Sequence, residues 1–138
     1  MSDWLYRMPA VRLADAAESG GARVWLYELC RGFGPQGASH GLDTLLVFGT
    51  VDVDGEVTAA GPAVVGEAEA LSASMRAELV AFATTGDPGW GRYRAGERST
   101  RVYIPERDLV PYPEERSRVL WSDQRFVAWS AKVPTPGR

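Results

Sequence analysis

The sequence predicts an α/β fold that combines a few strands with about three helices. A helical segment near the N-terminus ends at Gly20-Gly21, and an apolar run rich in strand-forming residues follows at 24–27. A second apolar run, residues 101–104, comes after the longest helical segment. Helices that alternate with strands of this buried type are typical of α/β layers. We expect one domain over residues 1–133 and a mobile tail over 134–138.

The composition excludes several classes of function. The chain has 138 residues and a net charge of −3, whereas a nucleic-acid-binding domain needs a basic surface to displace counterions from phosphates. One histidine and one cysteine, Cys30, cannot form a Cys/His zinc site, so we expect no metal and no cofactor. No apolar run approaches the roughly 18 residues of a membrane span, and no secretory signal pattern is present. We therefore expect no membrane association and a cytoplasmic location.

The first helix begins near Trp4, because Asp3 is a typical N-cap residue. Pro9 either kinks this helix or starts a new turn of it. The strand at 22–29 follows the two glycines. Its nearly continuous apolar run predicts that it is buried on both faces.

The central part of the chain is harder to assign. Residues 31–41 read as a loop, the apolar segment 43–50 is ambiguous between helix and strand, and 50–66 look irregular with a turn at Asp54-Gly55. A helix is predicted over 67–84. Its apolar face recurs at helical spacing and consists of Leu71, Met75, Leu79 and Phe82.

A second strand, residues 101–104, and a last helix over 114–129 complete the predicted elements. The pair Glu114-Glu115 is favourable at the start of that helix. The residues of the helix that we expect to be buried are Val119, Leu120, Phe126 and Val127. Two or three strands make a thin sheet. A strand that is apolar on both faces requires neighbouring strands and covering layers, and the predicted elements are few for both purposes.

Five phrases, in order along the chain, resemble the C-terminal part of type-B carboxylesterases, the family of para-nitrobenzyl esterases and cholinesterases. The loop GASHGLDTLLVFG at 37–49 is similar to the family pattern G-x-x-H-G-x-[ED]-[LI]-x-[FY]-V-F-G, although Thr44 replaces a proline. Gly91 likewise replaces the proline of the family's W-P-x-Y segment. The phrases cover residues 3–16, 24–29, 37–49, 71–93 and 115–121.

This resemblance implies a C-terminal portion of an α/β-hydrolase fold. It implies that His40 is the general base of a catalytic triad and that Asp43 belongs to a supporting polar network without being the triad acid. The nucleophile, the oxyanion loop and the triad acid would lie in an N-terminal portion. We therefore expect the chain to be inactive alone and to act on small carboxylic esters only when that portion completes it.

The residues themselves leave other interpretations open. His40 could be an ordinary loop histidine, and Asp43 could simply cap the following segment. Ser39 is adjacent to His40, but neighbouring side chains rarely form a working nucleophile–base pair. Cys30 could have a lowered pKa beside Arg31 or could be an inert thiol.

The chain as a whole also allows other functions. It could be a non-catalytic binding or assembly module that associates with itself through an uncovered sheet edge. It could instead be an unrelated small ligand-binding domain, which a complete sheet of five or more strands would support.

Overall fold

The structure is a computed structural model that describes residues 3–33, 37–52, 55–104 and 108–125. A π-helical turn, Asp3–Arg7, continues directly into helix α1, Met8–Ser19. Pro9 therefore lies in the first turn of α1, directly after the π-helical turn. Gly20 caps the helix, and Gly21 has a φ of 86° in the left-handed region.

The elements that follow α1 are β1, Leu26–Leu29; α2, Leu42–Phe48; α3, Glu56–Ala59; α4, Pro62–Thr85; β2, Thr100–Tyr103; β3, Asp108–Val110; and α5, Glu115–Leu120. The ambiguous segment at 43–50 is thus helical. The stretch predicted to be irregular contains α3 and the start of α4, where Pro62 occupies a favoured N-terminal position. The strand β3 carries no alternating apolar pattern and was not expected.

The three described strands form one sheet in the order β1-β2-β3. β1 and β2 are parallel, with Leu26 opposite Thr100, and β2 and β3 are antiparallel. Because alternate residues of a strand point to opposite faces, Leu26 and Leu29 contact different layers. Leu26 packs on the cluster of α1, and Leu29 packs on the cluster formed by α2 and α4. Helices therefore cover both faces of the sheet.

The larger core cluster joins α2, α4 and the sheet. Its fully buried members are the side chains of Leu46 and Ala68, and Met75 and Tyr103 are nearly so. The smaller cluster contains Met8, Val11 and Tyr112. Tyr93, also fully buried, donates a hydrogen bond of 2.6 Å to Asp15 of α1.

Three predictions of burial are wrong. β1 is not buried on both faces, since its residues are half-buried and Tyr27 is 38% exposed. Val119 and Leu120, expected in the core, are exposed on α5. The apolar stripe of α4 is buried at Leu71 and Met75 but exposed at Leu79 and Phe82.

These errors share a physical cause. An apolar pattern indicates that one face of a helix or strand is suited to packing against another element. The described part of the chain provides too few elements to cover every such face. The last helix is shorter than predicted, because α5 ends at Leu120 and residues 121–125 form turns and irregular structure. Phe126, Val127, Trp129 and the tail 134–138 lie outside the described residues. Within the described ranges, no helix combines the length and apolar character needed to cross a bilayer.

Candidate functional site

His40 lies in the loop between β1 and α2, immediately before the helix begins. Gly41, the N-cap of α2, has a φ of 86°, which a residue with a side chain adopts only with strain. The amides of Leu42 and Thr44 donate to the carbonyl oxygens of Ser39 and Gly41, at 3.3 and 3.1 Å. The histidine is therefore held at the start of a helix by backbone hydrogen bonds.

Helix α2 is anchored to the long helix α4. Leu46 is completely buried in the core, and its carbonyl oxygen accepts a 2.6 Å hydrogen bond from the hydroxyl of Ser72. Gly49 ends α2 with a φ of 72°. Packing and this buried hydrogen bond fix the helix, and the helix in turn fixes the position of His40.

An open cleft of about 570 Å³ runs along β1, between the first helical segment and the loop of His40. The ring of Tyr6 stacks on the imidazole of His40, with 3.9 Å between the ring centroids and 13° between the planes. The imidazole is otherwise exposed to solvent, and none of the described residues forms a hydrogen bond with it. The imidazole thus lines the cleft and packs against one aromatic ring, that of Tyr6.

Asp43 forms two hydrogen bonds beside His40. Its Oδ2 accepts the hydroxyl of Tyr27 at 2.8 Å, and its Oδ1 accepts the amide of Thr44 at 2.9 Å. Desolvation of the hydroxyl, and then the hydrogen bond to Asp43, raise the pKa of Tyr27 above its ordinary value. Asp43 is not the N-cap of α2, because Gly41 holds that position. It connects β1 to α2.

The floor of the cleft contains an ion pair that the sequence interpretation did not identify. An Arg7 Nη2 atom lies 2.9 Å from Oε1 of Glu28, whose side chain is only 10% exposed. Among the described residues, neither carboxylate oxygen has a well-directed hydrogen bond and the buried hydroxyl of Tyr112 has no partner. Desolvation raises the pKa of Glu28, and Arg7 opposes that shift. The available signal was an acidic residue inside the apolar run VWLYEL.

Residues 37–41 read GASHG, which matches the letters of the nucleophile-elbow pattern G-x-S-x-G. A nucleophile elbow is a sharp, strained turn between a strand and a helix. Here β1 ends at Leu29, well before Ser39, and Ser39 does not have a positive φ. The structure gives no hydrogen bond between Ser39 and His40. The match is therefore one of letters, without the geometry of an elbow.

Cys30 does not have the environment of a reactive thiol. Desolvation, and then the charge of Glu28, raise its pKa. The neighbouring Arg31 instead forms two hydrogen bonds, of 2.6 and 2.7 Å, with the carboxylate of Glu67. The hypothesis of a lowered pKa is wrong. Across the ranges that the structure describes, no three potential metal-ligating side chains lie together.

Comparisons with known proteins agree with one another. The chain is 30% identical over 128 residues to the para-nitrobenzyl esterase of Bacillus subtilis, an alignment that covers 86% of this chain and 25% of the relative. Its fold matches a solved PNB esterase with a TM-score of 0.71 at 28% identity, and a thermophilic PNB esterase with 0.71 at 29%. These alignments cover 86% of this chain and 25% or 26% of the relatives.

A carboxylesterase of Geobacillus stearothermophilus matches with a TM-score of 0.63 at 26% identity, over 80% of this chain and 24% of that protein. No family model matches the sequence. The chain spans about a quarter of the length of the relatives that it matches. The small α/β structure described above is thus a piece of the α/β-hydrolase fold. The sequence and structure relatives both point to the type-B carboxylesterases, over a partial region that is consistent with their C-terminal part.

Proposed function

We propose that this chain is the C-terminal portion of a serine carboxylesterase and supplies the general base, His40, to an active site that an N-terminal portion completes. The observation that carries this proposal is the position of His40. It follows β1, opens onto a cleft, and lies in a region that matches esterases over 86% of the chain. In α/β folds, ligands bind beyond the carboxyl ends of the strands, on the side where this loop lies.

The imidazole would accept a proton from a serine hydroxyl of the N-terminal portion. A serine is a weak nucleophile until a base within hydrogen-bond distance removes its proton, and the same base then protonates the leaving alcohol. Tyr6 would hold one face of the His40 ring, which leaves the ring edge for the proton transfer. Asp43, through Tyr27, would support the position of the loop.

The chain alone would not hydrolyse esters. A triad requires the nucleophile, an acid that orients the imidazole, and backbone donors that stabilise the oxyanion. The proposal assigns all three to the N-terminal portion. Ser39 is no substitute, because its backbone lacks the strain of an elbow.

A chimera tests the proposal. In it, this chain replaces the matching quarter of the Bacillus subtilis esterase, and hydrolysis of p-nitrophenyl butyrate is measured. We expect the chimera to be active, with a loss of at least about a thousandfold in His40→Ala. The exposed residue Glu69 on α4 provides a matched control, since Glu69→Ala should leave the activity unchanged.

Either of two results would contradict the proposal. One is a folded chimera whose activity survives His40→Ala. The other is turnover by the isolated chain that disappears in His40→Ala, because the isolated chain would then contain its own nucleophile.

A cytoplasmic location is also part of the proposal, and fractionation of cells that produce the protein tests it.

A non-catalytic assembly module is the second candidate, and the exposed apolar residues favour it. Phe48 is 75% exposed and Leu120 is 79% exposed, so either side chain would lose contact with water in an interface between copies of the chain. This alternative predicts a stable complex between copies of the chain in solution. Sedimentation at several concentrations distinguishes it from the first proposal.

A further inference from the structure

A carboxylate of helix α4 makes two hydrogen bonds with the middle strand of the sheet, β2. Oε1 of Glu78 accepts a 2.7 Å hydrogen bond from Nη2 of Arg101, and Oε2 accepts the hydroxyl of Tyr103. All three side chains are mostly shielded from solvent. A charge-assisted hydrogen bond in such a place is stronger than one between neutral groups. Glu78 therefore fixes α4 to β2 through two donors at once.

The two donors are also held by aromatic contacts. The guanidinium of Arg101 lies over the rings of Trp90 and Tyr103, 5.6 and 5.7 Å from their centroids. Desolvation, and then the hydrogen bond to Glu78, raise the pKa of the Tyr103 hydroxyl. This hydroxyl is therefore protonated at neutral pH, and the carboxylate is its acceptor.

The ring of Tyr103 connects this cluster to the strand that precedes His40. Tyr27 lies opposite Arg101 in the parallel pairing of β1 with β2, so its side chain points to the same face of the sheet as that of Tyr103. The two tyrosine rings meet edge to face, with 5.7 Å between the centroids and 71° between the planes. The hydroxyl of Tyr27 donates in turn to Asp43, in the first turn of α2. A continuous series of contacts thus runs from α4 across two strands to the helix that begins beside the histidine.

We infer that Glu78 is a positioning residue, which fixes the two tyrosine rings and through them the loop that carries His40. Without the carboxylate, Tyr103 and Arg101 would lose the acceptor that the structure gives them, and buried donors without an acceptor are costly enough to make their side chains move. A shift of the Tyr103 ring would displace the ring of Tyr27, because packed side chains leave little free space between them. The inference rests on the proposed function, of which it specifies how the general base is held in place.

The expected consequence for catalysis depends on distance. A general base must lie within hydrogen-bond reach of the proton that it accepts, and a displacement of about 1 Å can lower a rate by about a hundredfold. Backbone hydrogen bonds and the stack on Tyr6 hold His40 at the start of α2. The series of contacts that begins at Glu78 supports the same end of α2 from the sheet. A small shift at α4 should therefore lower kcat more than it changes KM, because substrate binding does not require the base.

Steady-state kinetics of the chimera test the inference. Glu78→Gln keeps the size of the side chain and removes its charge, and Tyr103→Phe keeps the ring and removes the donor. We expect each variant to lower kcat for p-nitrophenyl butyrate by about tenfold, while KM changes by less than about twofold. The double variant should be no slower than the slower single variant, because both changes act on one series of contacts. Glu69→Gln neutralises an exposed carboxylate of the same helix and should leave both constants unchanged.

Two results in an active chimera would overturn the inference. One is a kcat within about twofold of the parent in Glu78→Gln, since a lower melting temperature with unchanged kcat is the pattern of a residue that only stabilises the fold. The other is a double variant whose loss equals the product of the two single losses, because the residues would then act independently. If Glu78→Gln does not fold, Tyr103→Phe decides by the same limit on kcat.

The imidazole signals of the isolated chain provide a test that does not depend on activity. The chain has one histidine, and the stack on Tyr6 makes the chemical shifts of its ring protons sensitive to small displacements. Glu78→Gln and Tyr103→Phe should both move these NMR signals, whereas Glu69→Gln should not. Unchanged signals in both folded variants would overturn the inference, even if the chimera loses activity. Signals that move while the parent chimera is folded but inactive would confirm the link between Glu78 and His40 and contradict the proposed function.

Discussion

The hydroxyl of Tyr27 donates a 2.8 Å hydrogen bond to Oδ2 of Asp43, which links the edge strand to the first turn of the helix that follows His40. The ring of Tyr27 also packs edge-on against Tyr103 of β2, with 5.7 Å between the centroids. The side chain of Tyr27 therefore couples the loop of His40 to both β1 and β2.

The first prediction concerns the hydrogen bond itself. Tyr27→Phe keeps the ring and removes the donor, so we expect a loss of about 0.5–1 kcal/mol in the free energy of unfolding, measured with urea. Asp43→Ala, alone and combined with Tyr27→Phe, completes a double-mutant cycle. A coupling energy of zero would mean that the bond does not stabilise the folded protein.

The second prediction uses the fact that the chain has one histidine. Because the ring of Tyr6 stacks on His40 at 3.9 Å, its ring current should shift the imidazole proton signals upfield in the NMR spectrum. Tyr6→Leu should return these signals to the positions of an unstacked histidine. Tyr93→Phe is the control, since it retains a buried ring that contacts α1. Unchanged imidazole signals in Tyr6→Leu would exclude the stack in solution.

The third prediction compares two residues of α2. Leu46 is completely buried, so Leu46→Ala should cost about 2–5 kcal/mol of stability through lost contacts and the cavity that remains. Phe48, two residues later, is 75% exposed, and Phe48→Ala should change stability by less than about 0.5 kcal/mol. Urea denaturation of both variants provides the measurement. Equal losses would show that α2 packs with a different face.

The fourth prediction concerns pH. The hydrogen bonds from Arg31 lower the pKa of Glu67 in the folded protein. The pair therefore contributes its full stability above the unfolded-state pKa of about 4.3 and loses it as the pH falls through the lower folded-state value. Both side chains are about one third exposed, so the contribution should not exceed about 1 kcal/mol.

Urea denaturation between pH 6 and pH 3 checks this expectation. Stability should fall more steeply in the wild type than in Arg31→Ala. Arg76→Ala, which removes an exposed arginine of α4, serves as a comparison for the general effect of losing one arginine. Identical slopes for the wild type and Arg31→Ala would rule out a contribution from the Arg31–Glu67 pair.

The sequence alone predicted the helices and strands whose residues show a clear periodic pattern. The N-terminal helical segment, the strand before His40, and the central part of α4 agree with the sequence predictions, because periodicity and glycine positions determine them. Burial was predicted poorly at Leu79 and Leu120, because it depends on which other element lies against a face. The short strand β3 forms by pairing with β2, and such pairing leaves little trace in three residues.

In the candidate site, too, features encoded by neighbouring residues were predictable, whereas contacts between distant residues were not. A motif of neighbouring residues predicts that His40 is the general base, and this role stays a prediction; the residue lies in the loop between β1 and α2. The Arg7–Glu28 pair was missed, because its members belong to different elements and meet only in the folded chain. The letters GASHG fit the nucleophile-elbow pattern, but the backbone at Ser39 does not adopt the geometry of an elbow, so the letters alone do not identify a site.

The parallel pairing of β1 with β2 has a consequence for the order of folding. Residues 30–99, which include α2, α3 and α4, lie between the two strands in the sequence. Closing so long a loop is entropically costly, whereas α2 and α4 are nearer neighbours and can meet earlier. We expect the helices α2 and α4 to pack first and the sheet to form late. The loop of His40 would then be fixed at its α2 end before β1 pairs with β2.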